Sequence, residues 1–241
     1  MPRILKAAAL QLPNRAPYQK NLDALLHHIE TLDDHAIVLA PEVSMTDYDY
    51  DNLEAAARFG DEVITRLCER VDRQVLGLTL LTRQPNGTYT NDAVVIHDHH
   101  VVHRQSKHKL FVLGEEDKHL AVGTEEGIRL FELGGVTYGM LICFELRFKE
   151  LWRRLEGADV ILIPSQWGLP RKRHLEILAQ ALAVMNQAYV VVANSSKEDM
   201  ASSSAIYSPN GGVVIDDMQE VISGKIDFGL LKKMRRYIVM S

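Results

Sequence analysis

The chain has 241 residues, 46% hydrophobic and 24% charged, with 27 basic against 32 acidic side chains and a formal charge of -5. That describes one ordinary globular domain spanning residues 1–241, able to bury a large core without staples; the mildly acidic balance argues against nucleic acid or anionic lipid as partners. No apolar run approaches the ~18 residues that span a bilayer, and Met1 to Leu12 lack a signal peptide's apolar stretch and cleavage site, so a cytoplasmic small-molecule enzyme is expected.

Taken in chain order, Arg3–Leu12 reads as a buried strand, and Leu22, Leu25, Leu26, Ile29 and Leu32 mark an amphipathic helix. Ala36–Ala40 is a short apolar strand stopped by Pro41-Glu42, and a second helix runs from about Asn52 to Asp72. Strands come next at Val75–Thr82, Tyr89–His97 and His99–Arg104, the first two joined by a turn at Pro85-Asn-Gly87. Ile128–Leu133 and Val136–Ile142 flank Gly134-Gly135 as a hairpin, and the second strand runs straight into Cys143. Then come a helix Phe148–Glu156, a strand Val160–Pro164, a helix Leu175–Asn186 and a strand Tyr189–Ala193. Ala205–Tyr207 and Val213–Ile215 form a further hairpin, and Val221–Ile226 leads to a last helix with Asp227 as its N-cap. Alternating strands and helices without a linker or repeat predict an α/β or mixed α+β layered domain.

Cys68 and Cys143 are the two cysteines, too far apart in sequence to suggest a disulfide framework or a zinc motif. Cys68 sits on an apolar helix side and reads as core. Cys143 ends an apolar strand where a polar, helix-like stretch begins, a place from which a thiol projects into a cleft beside free backbone N–H groups. In isolation such a cysteine is a small buried hydrophobe. A nucleophilic thiol also needs a proton acceptor and a cation to hold its thiolate. Glu42, at the carboxyl end of a buried strand, is expensive to bury unless paired or used. Lys107 lies just past another strand. Alone, these two read more simply as a solvated loop carboxylate and a surface lysine.

Together, Ala40-Pro-Glu42, Lys107-x-x-Leu-Phe111 and Cys143-Phe-Glu-Leu-Arg-Phe148 resemble the carbon–nitrogen hydrolase (nitrilase) superfamily, closest to its Nit-like, ω-amidase branch. The resemblance runs nearly end to end, through Asp159–Trp167, Asn186–Asn194, Ser204–Gly211 and Gly224–Asp227. It implies a four-layer α-β-β-α sandwich that associates into homodimers or larger homo-oligomers through a helical face. It also implies Cys143 as nucleophile, Glu42 as general base and acid, and Lys107 as the cation at the oxyanion. Glu116 would be an additional acid, with Glu115 and Asp117 as neighbours that a one-residue slip would select instead. The Phe144 N–H would be the second oxyanion donor. Such a triad hydrolyses a small linear amide through a thioester and needs no metal or organic cofactor. Alternatives are an N-carbamoyl amine or amino-acid hydrolase, or a catalytically weak binding protein on the same fold.

Arg147 is placed to meet a substrate carboxylate or to form a structural salt bridge. Trp167, beside Gln166, is read as a pocket wall or a core residue. Tyr48 in Asp47-Tyr-Asp-Tyr-Asp51 reads mainly as part of a solvated loop. His97-Asp-His-His-Val-Val-His103 invites a metal, but a turn at Asp98-His99 is simpler. Lys232–Arg236 reads as a solvated helix face. Lys109, Leu182 and Met185 depart from the family pattern of His, Arg and Glu; an extra cation near Lys107 is the expected consequence of the first.

Overall fold

Strands β1 (Ile4–Leu10), β2 (Ile37–Leu39), β3 (Val75–Arg83), β4 (Tyr89–His97) and β5 (His100–Ser106) form one sheet, completed by β12 (Val221–Asp227), in the order β12-β1-β2-β3-β4-β5. The second sheet takes β6 (Phe131–Leu133), β7 (Val136–Met140), β8 (Val160–Ser165), β9 (Tyr189–Asn194), β10 (Ala205–Tyr207) and β11 (Val213–Ile215), in the order β11-β10-β9-β8-β7-β6. The structure, a computed structural model, describes residues 3–239. In each sheet three parallel strands, β1-β2-β3 and β7-β8-β9, are extended by antiparallel neighbours.

Period-two alternation builds the layers. Ile37 and Leu39 of β2 face the other sheet, while Val38 packs under Leu22, Leu25 and Ile29 of α1 (Gln19–Thr31) and Val63 and Leu67 of α2 (Leu53–Arg70). Across the molecule, Leu175, Ala179, Leu182 and Ala183 of α5 (Lys172–Met185) cover the second sheet, joined by Leu151 of α4 (Lys149–Arg154) and Leu231 of α6 (Phe228–Tyr237). The result is the expected α-β-β-α sandwich. The sheets approach closely at Gly77: a Cβ there would lie 2.8 Å from Leu39 Cδ1 and 3.5 Å from Leu162 Cδ1, so only glycine fits without repacking.

Several local expectations are met by the backbone itself. Asp98 and His99 both take positive φ, making the tight turn between β4 and β5, and Gly134-Gly135 do the same between β6 and β7. His97, His99 and His100 each bond a backbone carbonyl, of Gln74, Cys68 and Asp98, so the histidines flank a turn rather than converge as ligands. Asp227 caps α6 by accepting the Gly229 N–H at 2.7 Å. Cys68 is half-buried against the core beneath α1 and α2.

Other expectations change. β7 stops at Met140 instead of reaching Ile142, because the Ile142 N–H is taken by the Glu145 side chain at 2.7 Å, turning the chain out of the sheet. A 3-10 turn then covers Cys143–Arg147, and the helix expected over Phe148–Glu156 shrinks to α4. The Ile128–Leu133 strand is confined to β6, because Glu125–Gly127 form a 3-10 turn that receives the Ile128 N–H. Nor is the basic run of α6 wholly solvated: Arg235 pairs with Asp159 at 2.8 Å. Among the described residues, no helix is long and apolar enough to cross a membrane.

Candidate active site

The residues singled out in the sequence meet where strands of both sheets end. Glu42 lies just past β2, Lys107 just past β5, Cys143 past β7, and Gln166 and Trp167 past β8. Glu42 and Lys107 are each 1% exposed. Burial on that scale demands compensation, and the polar atoms of both side chains find it. Lys107 Nζ donates to Glu42 Oε1 at 2.7 Å and to Glu116 Oε1 at 2.7 Å. Burial opposes the Lys107 charge, but the two carboxylates outweigh it and hold the ammonium well above the ordinary lysine range. Glu116 accepts the Phe111 N–H at 3.2 Å, and burial raises its pKa despite Lys107. Its neighbour Glu115 is exposed and pairs with Lys118, so the register choice falls on Glu116.

Glu42 is held at both oxygens. Oε1 accepts from Lys107, from the Asn91 amide at 2.9 Å and from the Tyr48 hydroxyl at 2.7 Å, and Oε2 accepts the Gln166 N–H at 3.1 Å. Tyr48 lies on the expected loop but is not solvated: its hydroxyl also lies 2.8 Å from Glu116 Oε1, and it receives the Asn91 amide at 3.0 Å. Burial and then the two glutamates push the phenol's pKa well up, so it keeps its single proton and serves one carboxylate at a time. Asn91 is missed by reasoning from sequence, because it lies in the polar first half of β4, between Thr90 and Asp92, where nothing local singles it out.

Cys143 occupies a left-handed conformation, φ +46, which a residue with a Cβ adopts at a cost of about 1–2 kcal/mol. The turn that enforces it is fastened by Glu145, whose carboxylate accepts the N–H groups of Ile142 at 2.7 Å and His108 at 2.6 Å, with Lys109 contributing a further N–H. Glu145 thereby fixes the elbow of Cys143 to the segment carrying Lys107. Burial first, then the Glu42 charge, push the Cys143 thiol well above its usual pKa; Lys107 and the Gln166 N–H oppose them without prevailing. The thiol thus sits beside a carboxylate placed to take its proton, with burial and that charge opposing ionisation of the sulfur and Lys107 favouring it.

Beside the thiol lies a small pocket whose walls include Phe111, Phe144, Arg147, Trp167 and Arg171. Trp167 is buried and doubly anchored, its backbone N–H donating to Asn194 Oδ1 at 2.7 Å and its indole N–H to the Arg171 carbonyl at 2.8 Å. Arg147 stacks on the Trp167 ring at 4.8 Å and meets His174 Nδ1 at 3.1 Å, without an ion pair to any carboxylate among the described residues. Lys109 turns away from Lys107, over the Phe148 ring and toward Glu150 at 3.7 Å, so it adds no cation to the cluster. Leu182 is buried in the core and Met185 is exposed.

A family described as carbon-nitrogen hydrolase matches residues 6–236. The chain is 28% identical over 232 residues to a 2-oxoglutaramate amidase of Bacillus subtilis (strain 168), covering 91% of this chain and 89% of that protein. It is 26% identical over 204 residues to omega-amidase YafV of Escherichia coli (strain K12), covering 80% and 77%. Among solved structures, Saccharomyces cerevisiae Nit3, a member of branch 10 of the nitrilase superfamily, superposes with a TM-score of 0.83 at 20% identity over 99% of this chain and 96% of that one.

Proposed function

This chain belongs to the carbon–nitrogen hydrolase family, in its Nit-like, ω-amidase branch, and is an amidase; from that premise we propose that it hydrolyses a small linear amide through a thioester on Cys143. The observation that carries the proposal is the strained left-handed turn that presents the Cys143 thiol beside the Glu42 carboxylate, itself bonded to Lys107.

In the proposed cycle, Glu42 takes the thiol proton as sulfur bonds to the amide carbon. The carbonyl oxygen becomes an oxyanion, stabilised by Lys107 Nζ and the backbone N–H of Phe144; a lost donor at such a position commonly costs on the order of 10²–10³ in rate. Lys107 Nζ donates to Glu42 and Glu116 at 2.7 Å each and to the Tyr48 hydroxyl at 3.2 Å, and it is the longest of these three bonds that would give way to the substrate oxygen. Glu42 then gives its proton to the departing nitrogen, the C–N bond breaks and ammonia leaves. Water, deprotonated by Glu42, attacks the thioester, the carboxylate product departs and sulfur recovers its proton. Glu116 holds Lys107 in place. Arg147, on the wall of the pocket, is offered as the partner of a carboxylate at the substrate's far end.

The amidase names of the relatives support this substrate class. We place residues 1–241 in one hydrolase unit. Copies would associate through the outer face of α5 and β11, where Ile177, Val184, Val213 and Val214 are exposed. Ammonia release from short ω-amides, simple aliphatic amides and N-carbamoyl compounds, wild type beside Cys143→Ala, tests the reaction. Turnover that survives in folded Cys143→Ala would sink the mechanism.

A further inference from the structure

Four polar side chains crowd the Tyr48 hydroxyl, and no step of the proposed cycle uses it. The Asn91 amide donates to it at 3.0 Å and Lys107 Nζ at 3.2 Å, so both lone pairs of the oxygen are taken. Its single proton then has two acceptors at nearly the same distance, Glu42 Oε1 at 2.7 Å and Glu116 Oε1 at 2.8 Å. The ionisable groups facing the hydroxyl are thus Glu42, Glu116, Lys107 and Cys143, with the Tyr50 ring against its own. Asn91 holds this arrangement at a local cost. It directs one N–H to Glu42 and the other to Tyr48, and its Oδ1 is left buried without a partner among the described residues. An amide turned the other way would set its oxygen against the Glu42 carboxylate. Asn91 therefore fixes Tyr48 as an acceptor from its own side and leaves the hydroxyl proton to Glu42 and Glu116.

Glu42 changes charge several times in the proposed cycle, while Glu116, which only holds Lys107, does not. A donor fixed on Glu42 would favour its charged form and resist each proton it takes. A donor with a second carboxylate in reach lessens that resistance, because it can follow the charge. We propose that Tyr48 is a positioning residue whose O–H turns from Glu42 to Glu116 as Glu42 takes the thiol proton, and turns back when Glu42 gives it up. The phenol O–H bond is never broken: the thiol proton goes to Glu42, and Tyr48 changes only its acceptor. The substrate assists the turn. Its carbonyl oxygen claims the Lys107 N–H that Tyr48 accepts, and a hydroxyl that loses a cationic donor is itself a weaker donor to Glu42. Binding of the carbonyl thus loosens the proton acceptor when it is needed. This inference rests on the amidase reading and adds to it the means by which one carboxylate serves as base and acid in turn.

The test follows two properties of Tyr48→Phe, which keeps the ring and removes the hydroxyl. One is ammonia release from the short amide that turns over fastest. The other is the rate of Cys143 alkylation by iodoacetamide, resolved from Cys68 by peptide mapping; both are measured from about pH 4 to 9. Without the hydroxyl the charged carboxylate loses a donor, so the acid limb of each profile is expected to move up by about one unit. At the optimum, kcat is expected to fall by about 10- to 100-fold with KM within about twofold of wild type. Glu116→Gln removes the charge to which the hydroxyl turns, so in that background Tyr48→Phe should lower kcat by only about threefold or less. 3-Fluorotyrosine at position 48 keeps the hydroxyl and makes it a stronger donor, and should move the acid limb down. A merely structural role would leave the limb in place in both Tyr48 variants, and a turning hydroxyl is equally excluded if Tyr48→Phe lowers kcat by the same factor with and without the Glu116 charge. Should no amide show Cys143-dependent turnover, the amidase reading falls, and the alkylation profile still decides the role of the hydroxyl.

Discussion

Glu42 and Gln166 join the two sheets at the site: the Gln166 N–H donates to the Glu42 carboxylate at 3.1 Å, while the Glu42 N–H donates to the carbonyl of Ser165, the residue before Gln166, at 3.2 Å. The end of β2 in one sheet is thus fastened to the end of β8 in the other. In Glu42→Gln the side-chain NH2 must face either the Gln166 N–H or Lys107, donor against donor. We expect kcat to fall by on the order of 10²–10⁴-fold through loss of the proton acceptor. The thermal midpoint should also fall, by a few degrees, about what 1–2 kcal/mol produces in a chain of this size. Unchanged ammonia release would remove Glu42 from the reaction.

Lys107 separates two buried carboxylates. Removing it in Lys107→Met leaves Glu42 and Glu116 facing each other without a cation, at a cost of about 3–5 kcal/mol in stability. The double variant Lys107→Met/Glu116→Gln restores charge balance and should recover part of that loss without recovering activity. Urea unfolding of the single and double variants measures the coupling; strict additivity would show that the two side chains do not interact.

The left-handed backbone at Cys143 separates the needs of chemistry from those of folding. Both Cys143→Ala and Cys143→Gly lose the sulfur, but only glycine is relieved of the Cβ clash, about 1–2 kcal/mol, against about 0.4–1 kcal/mol for the extra freedom it gives the unfolded chain. Cys143→Gly is therefore expected to melt at or slightly above Cys143→Ala. A clearly lower midpoint for the glycine variant would mean that the strain is not borne by this residue.

Burial raises the pKa of Glu145 to about 7 from 4.5, even against its backbone N–H donors. Between those pH values the folded chain holds a proton that the unfolded chain has released, so stability falls as pH rises through about 7, by on the order of 3 kcal/mol in total. Glu145→Gln is expected to be less stable than wild type throughout, because its NH2 cannot accept from both Ile142 and His108, yet to lack this component of the pH dependence. Urea unfolding at pH 5, 6, 7 and 8 compares the slopes, and parallel curves would assign the titration elsewhere.

The order of elements and the gathering of Glu42, Lys107, Glu116 and Cys143 were legible because hydrophobic period and strand-ending polar residues are local signals, and the family strings fixed their register. The roles of Tyr48 and Asn91 were not, because each depends on which way a side chain turns once the loops and strands are packed. Asn91 reaches Glu42 from the next strand but one of the sheet, and the acidity of the loop around Tyr48 disguised a hydroxyl turned inward. Glu145 was visible as a letter in the motif around Cys143, but that it ties the elbow to His108 depends on the packing of two loops.

The hold of Gln166 on Glu42 comes from its backbone, so nineteen of the twenty amino acids could stand at position 166 and still supply that bond; proline alone would delete it. Its side chain reaches the other way, to Asp47 and Asn14. Mutational drift at this position is therefore invisible to the carboxylate, and a family member with a different residue there need not have a different proton acceptor. A saturation library at position 166 would read as a map of the Asp47 loop and of the pocket wall that Gln166 shares, with proline the one letter that deletes the bond to Glu42.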